Sequence, residues 1–86
     1  MGEKTYYVYL VRCRDGSLYC GYAADPVKRA ALHNSGKGAK YTRSRRPVEL
    51  VWTEAQPSRE AALSREWHLK RLSHREKEEL LTAPNR

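Results

Sequence analysis

The chain has 86 residues, of which 40% are hydrophobic, and a formal net charge of +7. This length favours one domain with one small core, so we expect a single domain over residues 1–86 with its core at about 5–81. No apolar run approaches the roughly 20 residues of a membrane span, and the start MGEKTYYVYL lacks a signal-peptide layout. The sequence therefore predicts a cytoplasmic protein without a membrane segment.

The positive charge and the cysteine count narrow the class of partner. Cys13 and Cys20 are too few for a disulfide framework or a zinc cluster, and buried strand positions account for them. A basic excess on a small domain favours phosphate-rich partners, because binding releases counterions from the phosphates. Ribosomal association, RNA binding and DNA binding all fit this charge.

The first two predicted elements form a β-hairpin. Residues 6–13 and 17–22 are rich in Tyr, Val and Leu, and a short turn containing Gly16 joins them. A two-residue loop would place Tyr9 and Tyr19 on opposite faces of the hairpin. A three-residue loop with left-handed Gly16 would place both tyrosines on one face. The sequence permits either register.

Capping residues and hydrophobic periodicity predict the remaining elements. These are, in chain order, a helix at about 26–34, a strand at 48–55, a helix that follows Ser58 and ends at about Arg71, and a helix that starts at Ser73 and ends before Pro84. The order β-β-α-β-α-α predicts an α+β fold with α/β layers, in which helices flank a small three-stranded, largely antiparallel sheet.

The first helix carries two polar residues on one side. Arg29 and His33 are four residues apart and therefore lie next to each other. Local spacing alone is compatible with a solvated arginine and with a histidine that caps the carbonyl groups at the helix end.

Glu66 lies in the stripe of the second helix that we expect to be buried. That stripe consists of Ala62, Leu63, Trp67 and Leu69. A carboxylate within it requires an ionic, hydrogen-bonding or metal partner to offset its desolvation. The alternative is an exposed ion pair with Lys70, one helical turn later.

A basic segment precedes the third strand and contains one aromatic residue. Its candidate nucleic-acid-binding residues are Lys37, Lys40, Tyr41, Arg43, Arg45 and Arg46. Interleaved basic side chains and an aromatic ring suit a surface that follows a nucleic-acid backbone and stacks one base. A flexible charged loop is the alternative.

Four stretches together form a family pattern. YVY occupies 7–9 and YCG occupies 19–21, Arg29 lies ten residues after Tyr19, and EWHLK occupies 66–70. With HNSGKGAKYTRSRRPVELV at 33–51, they resemble the GIY-YIG nuclease superfamily, in particular its small stand-alone bacterial members. In that family the tripeptides read Gly-Ile-Tyr and Tyr-Ile-Gly, the arginine lies on a helix, and the glutamate binds a metal ion.

The resemblance implies hydrolysis of phosphodiester bonds, usually in DNA, with one divalent cation, Mg²⁺ or Mn²⁺, held by Glu66. It further implies that Arg29 stabilises the transition state, that Tyr9 activates the attacking water, and that Tyr19 orients water or phosphate. His33 would support the base or contact phosphate. Because a phenol has a pKa of about 10, the base would need a nearby cation that lowers its pKa.

The chain also departs from the family pattern. Tyr22 stands where some family nucleases have a lysine, and the family's late asparagine has no counterpart. Most characterised relatives carry an additional DNA-binding domain, for which 86 residues leave no room. Affinity and specificity would then come from the basic segment or from a partner protein.

Two main functions follow as hypotheses. The first is a metal-dependent endonuclease in DNA repair or processing, with DNA favoured over RNA and with structured or single-stranded DNA as candidate substrates. The second is a non-catalytic nucleic-acid-binding module that retains the fold. A protein-interaction adaptor is a third, weaker hypothesis.

Overall fold

The computed structural model describes residues 5–82. Its elements are β1 (Tyr6–Arg12), β2 (Leu18–Ala23), α1 (Pro26–Asn34), α2 (Lys40–Arg43), β3 (Glu49–Gln56), α3 (Arg59–Lys70) and α4 (His74–Thr82). The strands form one antiparallel sheet in the order β2-β1-β3, which confirms the predicted α+β fold. Pro84, the predicted limit of the last helix, lies outside the described residues. Within 5–82, no helix is both long and apolar enough to cross a membrane.

β1 is the central strand and is buried on both faces. Residues 8–11 are all buried, because helices cover both sides of the sheet. Val8 and Leu10 pack with α3 and α4 on one face, whereas Tyr9 and Val11 pack with α1 on the other. The two layers therefore separate the alternate side chains of one strand into two small cores.

The hairpin has the three-residue loop. The Cys13 N–H donates to the Ser17 carbonyl at 2.8 Å, and Gly16 has a φ of 88°. Across β1 and β2, Tyr9 pairs with Gly21 and Val11 pairs with Tyr19. This register places Tyr9 and Tyr19 on the same face of the sheet, as the longer loop predicts. It also puts the free thiols of Cys13 and Cys20 in opposite cores.

The predicted helix starts are confirmed by their caps. The Asp25 carboxylate accepts from the N–H of Lys28 at 3.1 Å, and the Ser58 hydroxyl accepts from the N–H of Ala61 at 3.1 Å. At α4, Ser73 and Glu76 form the reciprocal capping box, with bonds of 2.9 and 3.1 Å.

The buried stripe of α3 is narrower than predicted. Ala62 and Leu69 are fully buried and Leu63 is half-buried, but Trp67 is 57% exposed, so its assignment to the core was wrong. Trp67 lies five residues after Ala62, about 140° around the helix, and therefore points away from the sheet. Its indole packs instead against the guanidinium of Arg71, 4.7 Å from the ring centroid.

The structure adds a helix that the sequence did not predict. α2 is a single turn, Lys40–Arg43, inside the basic segment. Four residues are too short to show hydrophobic periodicity, and the only buried side chain in this turn is that of Thr42. The segment therefore contains a helical turn that packs next to α1.

Candidate active site

One cavity brings the predicted catalytic residues together. It has a volume of about 260 Å³ and lies between β1, β2, α1 and α3. Tyr9, Tyr19, Arg29, His33 and Glu66 all line it. We name it the tyrosine cavity. Residues separated by up to 57 positions in the sequence thus face a single space.

Gly21 makes room for the Tyr9 ring. The two residues are directly paired across β1 and β2. A Cβ atom at position 21 would lie 2.5 Å from the Tyr9 hydroxyl oxygen and 2.6 Å from Cζ, far inside van der Waals contact. Only glycine therefore allows the phenol to cross the neighbouring strand and reach the cavity. This contact gives the last position of the YCG tripeptide a steric explanation.

A chain of hydrogen bonds fixes Tyr9 and His33. The Tyr9 hydroxyl lies 3.0 Å from His33 Nε2, and His33 Nδ1 lies 2.9 Å from the Thr42 hydroxyl. That hydroxyl also lies 2.9 Å from the Ala39 carbonyl, so its single proton has two acceptors within reach. The Ala39 N–H, whose direction the backbone fixes, donates to Nδ1 at 3.3 Å. Because Nδ1 accepts this bond, we assign the imidazole proton to Nε2, which donates to the Tyr9 hydroxyl oxygen.

Burial controls the protonation of these groups. It raises the pKa of Tyr9 above its usual value, and the neighbouring Tyr19 raises it further, whereas Arg29 lowers it by less. Burial likewise raises the pKa of Tyr19. It lowers the pKa of His33, and the charge of Arg29 acts in the same direction. Arg29 therefore lowers the pKa of Tyr9 as expected, but burial and Tyr19 outweigh it.

Glu66 combines the two alternatives that the sequence left open, a largely buried carboxylate and an ion pair with Lys70. Its side chain is 16% exposed and lines the tyrosine cavity, and it also forms an ion pair with Lys70 at 3.6 Å. The Lys70 ammonium in turn lies 5.7 Å from the centroid of the Tyr19 ring. Lys70 therefore brings a positive charge to the edge of the site.

The donor set fits a weakly held hard cation. Mg²⁺ is commonly held by one or two carboxylates, with water and substrate phosphate oxygens completing its shell. Glu66 supplies one such carboxylate within the cavity. Among residues 5–82 there is no group of three or more His, Cys, Asp and Glu side chains that could hold a metal ion by itself. A cation here would need oxygen ligands from water and phosphate.

The short helix α2 contacts the tyrosine cavity through the ring of Tyr41. The Tyr41 ring stacks on Tyr19 with 5.8 Å between centroids and 25° between planes. The Arg45 guanidinium lies over the Tyr41 ring, 3.9 Å from its centroid, and pairs with Asp15 at 3.1 Å. A base that stacks on Tyr41 would therefore compete with Tyr19 or Arg45.

The basic segment divides into separate environments. Lys37 lines the tyrosine cavity, whereas Lys40 is exposed. Arg43 and Arg46 line a second concavity, and Arg45 belongs to the Tyr41 stack. Position in the sequence alone did not distinguish these roles.

The sequence did not indicate Thr42 as a site residue, and it indicated Lys70 only as an ion-pair partner of Glu66. The signal for Thr42 was weak: a β-branched residue with a small hydroxyl among charged neighbours. A Cβ at Gly38 would collide with the His33 ring, so a second glycine also shapes the site. Neither contact follows from local spacing, because both depend on how α2 packs on α1.

Protein stability is expected to decrease below about pH 6.5 because of His33. Its pKa is lower in the folded chain than in the unfolded chain, so the unfolded state binds more protons as the pH falls. The stabilisation is complete above the unfolded pKa and is lost as the pH falls through the folded pKa. Denaturant unfolding at about pH 7.5 and about pH 5.5 checks this. His33→Gln should show a smaller pH dependence, and an unchanged dependence would contradict the account.

Comparisons with known proteins agree with this geometry. The GIY-YIG catalytic domain family matches residues 5–79. A UPF0213 protein of Streptococcus pneumoniae is 53% identical over 82 residues, which cover 95% of this chain and 82% of that protein. A UPF0213 protein of Staphylococcus saprophyticus is 49% identical, with 90% of this chain and 94% of that protein covered.

Two solution NMR structures are also similar. The UPF0213 protein BH0048 from Bacillus halodurans has 51% identity and a TM-score of 0.58, with 91% of this chain and 83% of that chain covered. The protein EF2693 from E. faecalis has 43% identity and a TM-score of 0.62, with coverage of 94% and 86%. The sheet order, the tyrosine cavity and these matches lead to one conclusion: the chain belongs to the GIY-YIG catalytic domain family.

Proposed function

We propose that this protein is a divalent-metal-dependent endonuclease that hydrolyses phosphodiester bonds in DNA during repair or processing. The observation that carries the proposal is the meeting of Tyr9, Tyr19, Arg29, His33 and Glu66 in one cavity. The set combines a carboxylate, a guanidinium and a hydrogen-bonded phenol–imidazole pair. Phosphoryl transfer requires such groups for metal binding, charge stabilisation and activation of water.

Glu66 and Arg29 are the proposed electrostatic groups. Glu66 would hold Mg²⁺ or Mn²⁺, and that cation would polarise the phosphate and stabilise the leaving oxygen. Arg29 extends from α1 into the same cavity, where its guanidinium can bind two phosphate oxygens at once. Lys37 also lines the cavity and offers a positive charge near Tyr22, which stands where some family members have a lysine.

Tyr9 is the proposed general base, with His33 as the hydrogen-bond donor to its oxygen. The raised pKa of Tyr9 means that the phenol is protonated at neutral pH and cannot act as a preformed phenolate. Its oxygen accepts from Nε2–H of a neutral imidazole, 3.0 Å away. A divalent cation held by Glu66 would lower the pKa of Tyr9, and the Nε2–H bond would stabilise the phenolate that then takes a proton from water. The Ala39 N–H and Thr42 hold the imidazole in the orientation that this bond needs.

A non-catalytic nucleic-acid-binding module is the second candidate. A specific observation favours it: the tyrosine cavity contains one carboxylate, and Lys70 already pairs with that carboxylate. In this alternative, Lys70 keeps Glu66 neutralised, and the basic residues bind phosphate without cleavage. The partner would still be nucleic acid, with a further protein supplying specificity.

A cleavage assay separates the two candidates. Single-stranded, duplex and branched DNA, and RNA, are incubated with the protein in Mg²⁺, in Mn²⁺ or in EDTA. We expect metal-dependent cleavage of DNA by the wild type. We expect loss of at least about a hundredfold in Glu66→Ala, since Glu66 is the proposed metal ligand.

The matched control for Glu66→Ala is Glu60→Ala. Glu60 lies on the same helix, in its first turn, and is exposed. Both variants lose one carboxylate and pass through the same purification. Equal cleavage by Glu66→Ala and Glu60→Ala would identify a contaminating nuclease and reject the catalytic assignment. Salt-dependent binding without cleavage by the wild type would favour the module.

A further inference from the structure

A second concavity lies outside the proposed catalytic residues. It has a volume of about 510 Å³, which is larger than that of the tyrosine cavity. Three arginines line it, from the hairpin turn, from the end of α2 and from the segment that follows α2. We name it the arginine cavity, after Arg14, Arg43 and Arg46. Asn34, Ser44 and Pro47 complete its lining, and none of these six residues is acidic.

We propose that the arginine cavity binds a backbone phosphate of the same nucleic-acid strand that enters the tyrosine cavity. This inference rests on the proposed function as far as the nucleic acid is concerned, but not on cleavage. Its novel elements are a second phosphate site and the role of Arg14, a turn residue outside the basic segment.

The composition of the cavity suits a phosphate. Guanidinium groups bind phosphate through paired N–H donors and remain charged at every physiological pH. Three of them around one concavity repel each other, and an anion removes that repulsion. Arg45 shows the contrast. Its guanidinium pairs with Asp15 and covers Tyr41, so its charge is already compensated within the protein.

Part of the cavity is held in place before any ligand binds. Arg46 donates from Nε to the Arg43 carbonyl at 2.8 Å, and its Nη1 lies 3.4 Å from the Asn34 carbonyl. A Cβ at Gly36 would come within 2.8 Å of that Nη1, so the left-handed glycine at the end of α1 makes room for Arg46. The Asn34 amide is fixed by two bonds to the Val48 backbone.

The two cavities lie next to each other across α1 and α2. His33 lines the tyrosine cavity, and the following residue, Asn34, lines the arginine cavity. Thr42 bonds to His33, and the following residue, Arg43, lines the arginine cavity. Each strand of a B-form duplex has one phosphate per about 3.4 Å of helix axis, so a strand that crosses α2 can present one phosphate to each site.

Binding rather than cleavage is the appropriate readout. A fluorescently labelled single-stranded DNA is titrated with the protein in EDTA, and anisotropy gives the affinity over a series of salt concentrations. The test variants are Arg14→Gln, Arg43→Gln and the double variant. Both side chains are exposed, so we expect unchanged thermal midpoints. Arg46 is left intact because it also supports the loop.

Arg75→Gln is the matched control. Arg75 is 89% exposed on α4, in the helical layer on the other face of the sheet from α1. Arg75→Gln removes one positive charge from the protein, as Arg14→Gln and Arg43→Gln each do. A general effect of net charge would therefore change Arg75→Gln as much as Arg14→Gln or Arg43→Gln.

We expect each cavity variant to weaken binding several-fold and to reduce the salt slope, log K against log[salt], by about 0.7. The double variant should lose about twice as much slope, and Arg75→Gln should lose little. The cavity variants should lose the same factor in affinity for DNA strands with a 5′-hydroxyl end and for strands with a 5′-phosphate end. A loss confined to 5′-phosphate ends would overturn the assignment to a backbone phosphate.

Slopes of Arg14→Gln and Arg43→Gln that match the slope of Arg75→Gln would also overturn the inference. The two proposals fail separately. If the cavity variants bind like the control while the wild type still cuts DNA, the arginine cavity is not a phosphate site and the nuclease assignment stands. If they lose slope while nothing is cut, the phosphate site stands and the catalytic assignment fails.

Discussion

Tyr9→Phe is expected to lower kcat for DNA cleavage by about 10²–10⁴-fold, the usual contribution of a general base. Phenylalanine fills the same space beside Gly21 but cannot accept a proton from water or a hydrogen bond from His33. The substitution also leaves the buried Nε2 of His33 without its partner, at a cost of about 1–3 kcal/mol in the free energy of unfolding. Single-turnover kinetics and denaturant unfolding measure the two effects.

Tyr6→Phe is the control for the loss of a phenol hydroxyl on the same strand. Tyr6 packs on the opposite core, against Tyr22, with ring centroids 6.3 Å apart. We expect its cleavage rate to stay within about twofold of the wild type. A Tyr9→Phe variant that cuts DNA as fast as Tyr6→Phe would remove Tyr9 from the role of general base.

Gly21→Ala is expected to lower the cleavage rate by about 10²–10⁴-fold and to destabilise the fold by about 1–3 kcal/mol. The new methyl group would lie 2.5 Å from the Tyr9 hydroxyl oxygen, so the phenol must leave the tyrosine cavity. The bond to His33 would then break as well. Thermal unfolding and the cleavage rate report the two consequences, and the damage should be as large for activity as that of Tyr9→Phe.

A double-variant cycle shows whether the steric contact is the cause. Tyr9→Leu removes the ring atoms that an alanine at position 21 would meet. Gly21→Ala should therefore cost little more stability in the Tyr9→Leu background, although both substitutions lower activity. Residues in direct contact usually show such non-additive energies. Additive losses would indicate that Gly21→Ala acts through the backbone of β2 instead.

The elements that local sequence predicted correctly depend on short-range physics. Asp25, Ser58 and Ser73 each cap a helix through a bond to a residue three positions later. The hairpin left two registers open, and the backbone of Gly16 decides between them because its φ of 88° completes the three-residue loop. The meeting of Tyr9 and Tyr19 on one face follows from that loop.

The parts that the sequence could not predict depend on packing between distant elements. α2 has too few residues for a periodic signal, yet it places Thr42 against His33 and Tyr41 against Tyr19. The raised pKa of Tyr9 depends on how deeply the sheet and helices bury it, which spacing does not reveal. Trp67 fits an apolar stripe by residue type but points away from the sheet.

The central claim is that Glu66 holds a divalent cation beside the two tyrosines, and paramagnetic broadening of backbone amide NMR signals by Mn²⁺ tests it most directly. The titration uses a short DNA strand to supply phosphate oxygens. The account predicts broadening centred on Glu66 and Gly21 that is lost in Glu66→Ala. Broadening centred on the exposed carboxylates Glu76 and Glu79 of α4, and unchanged in Glu66→Ala, would contradict it.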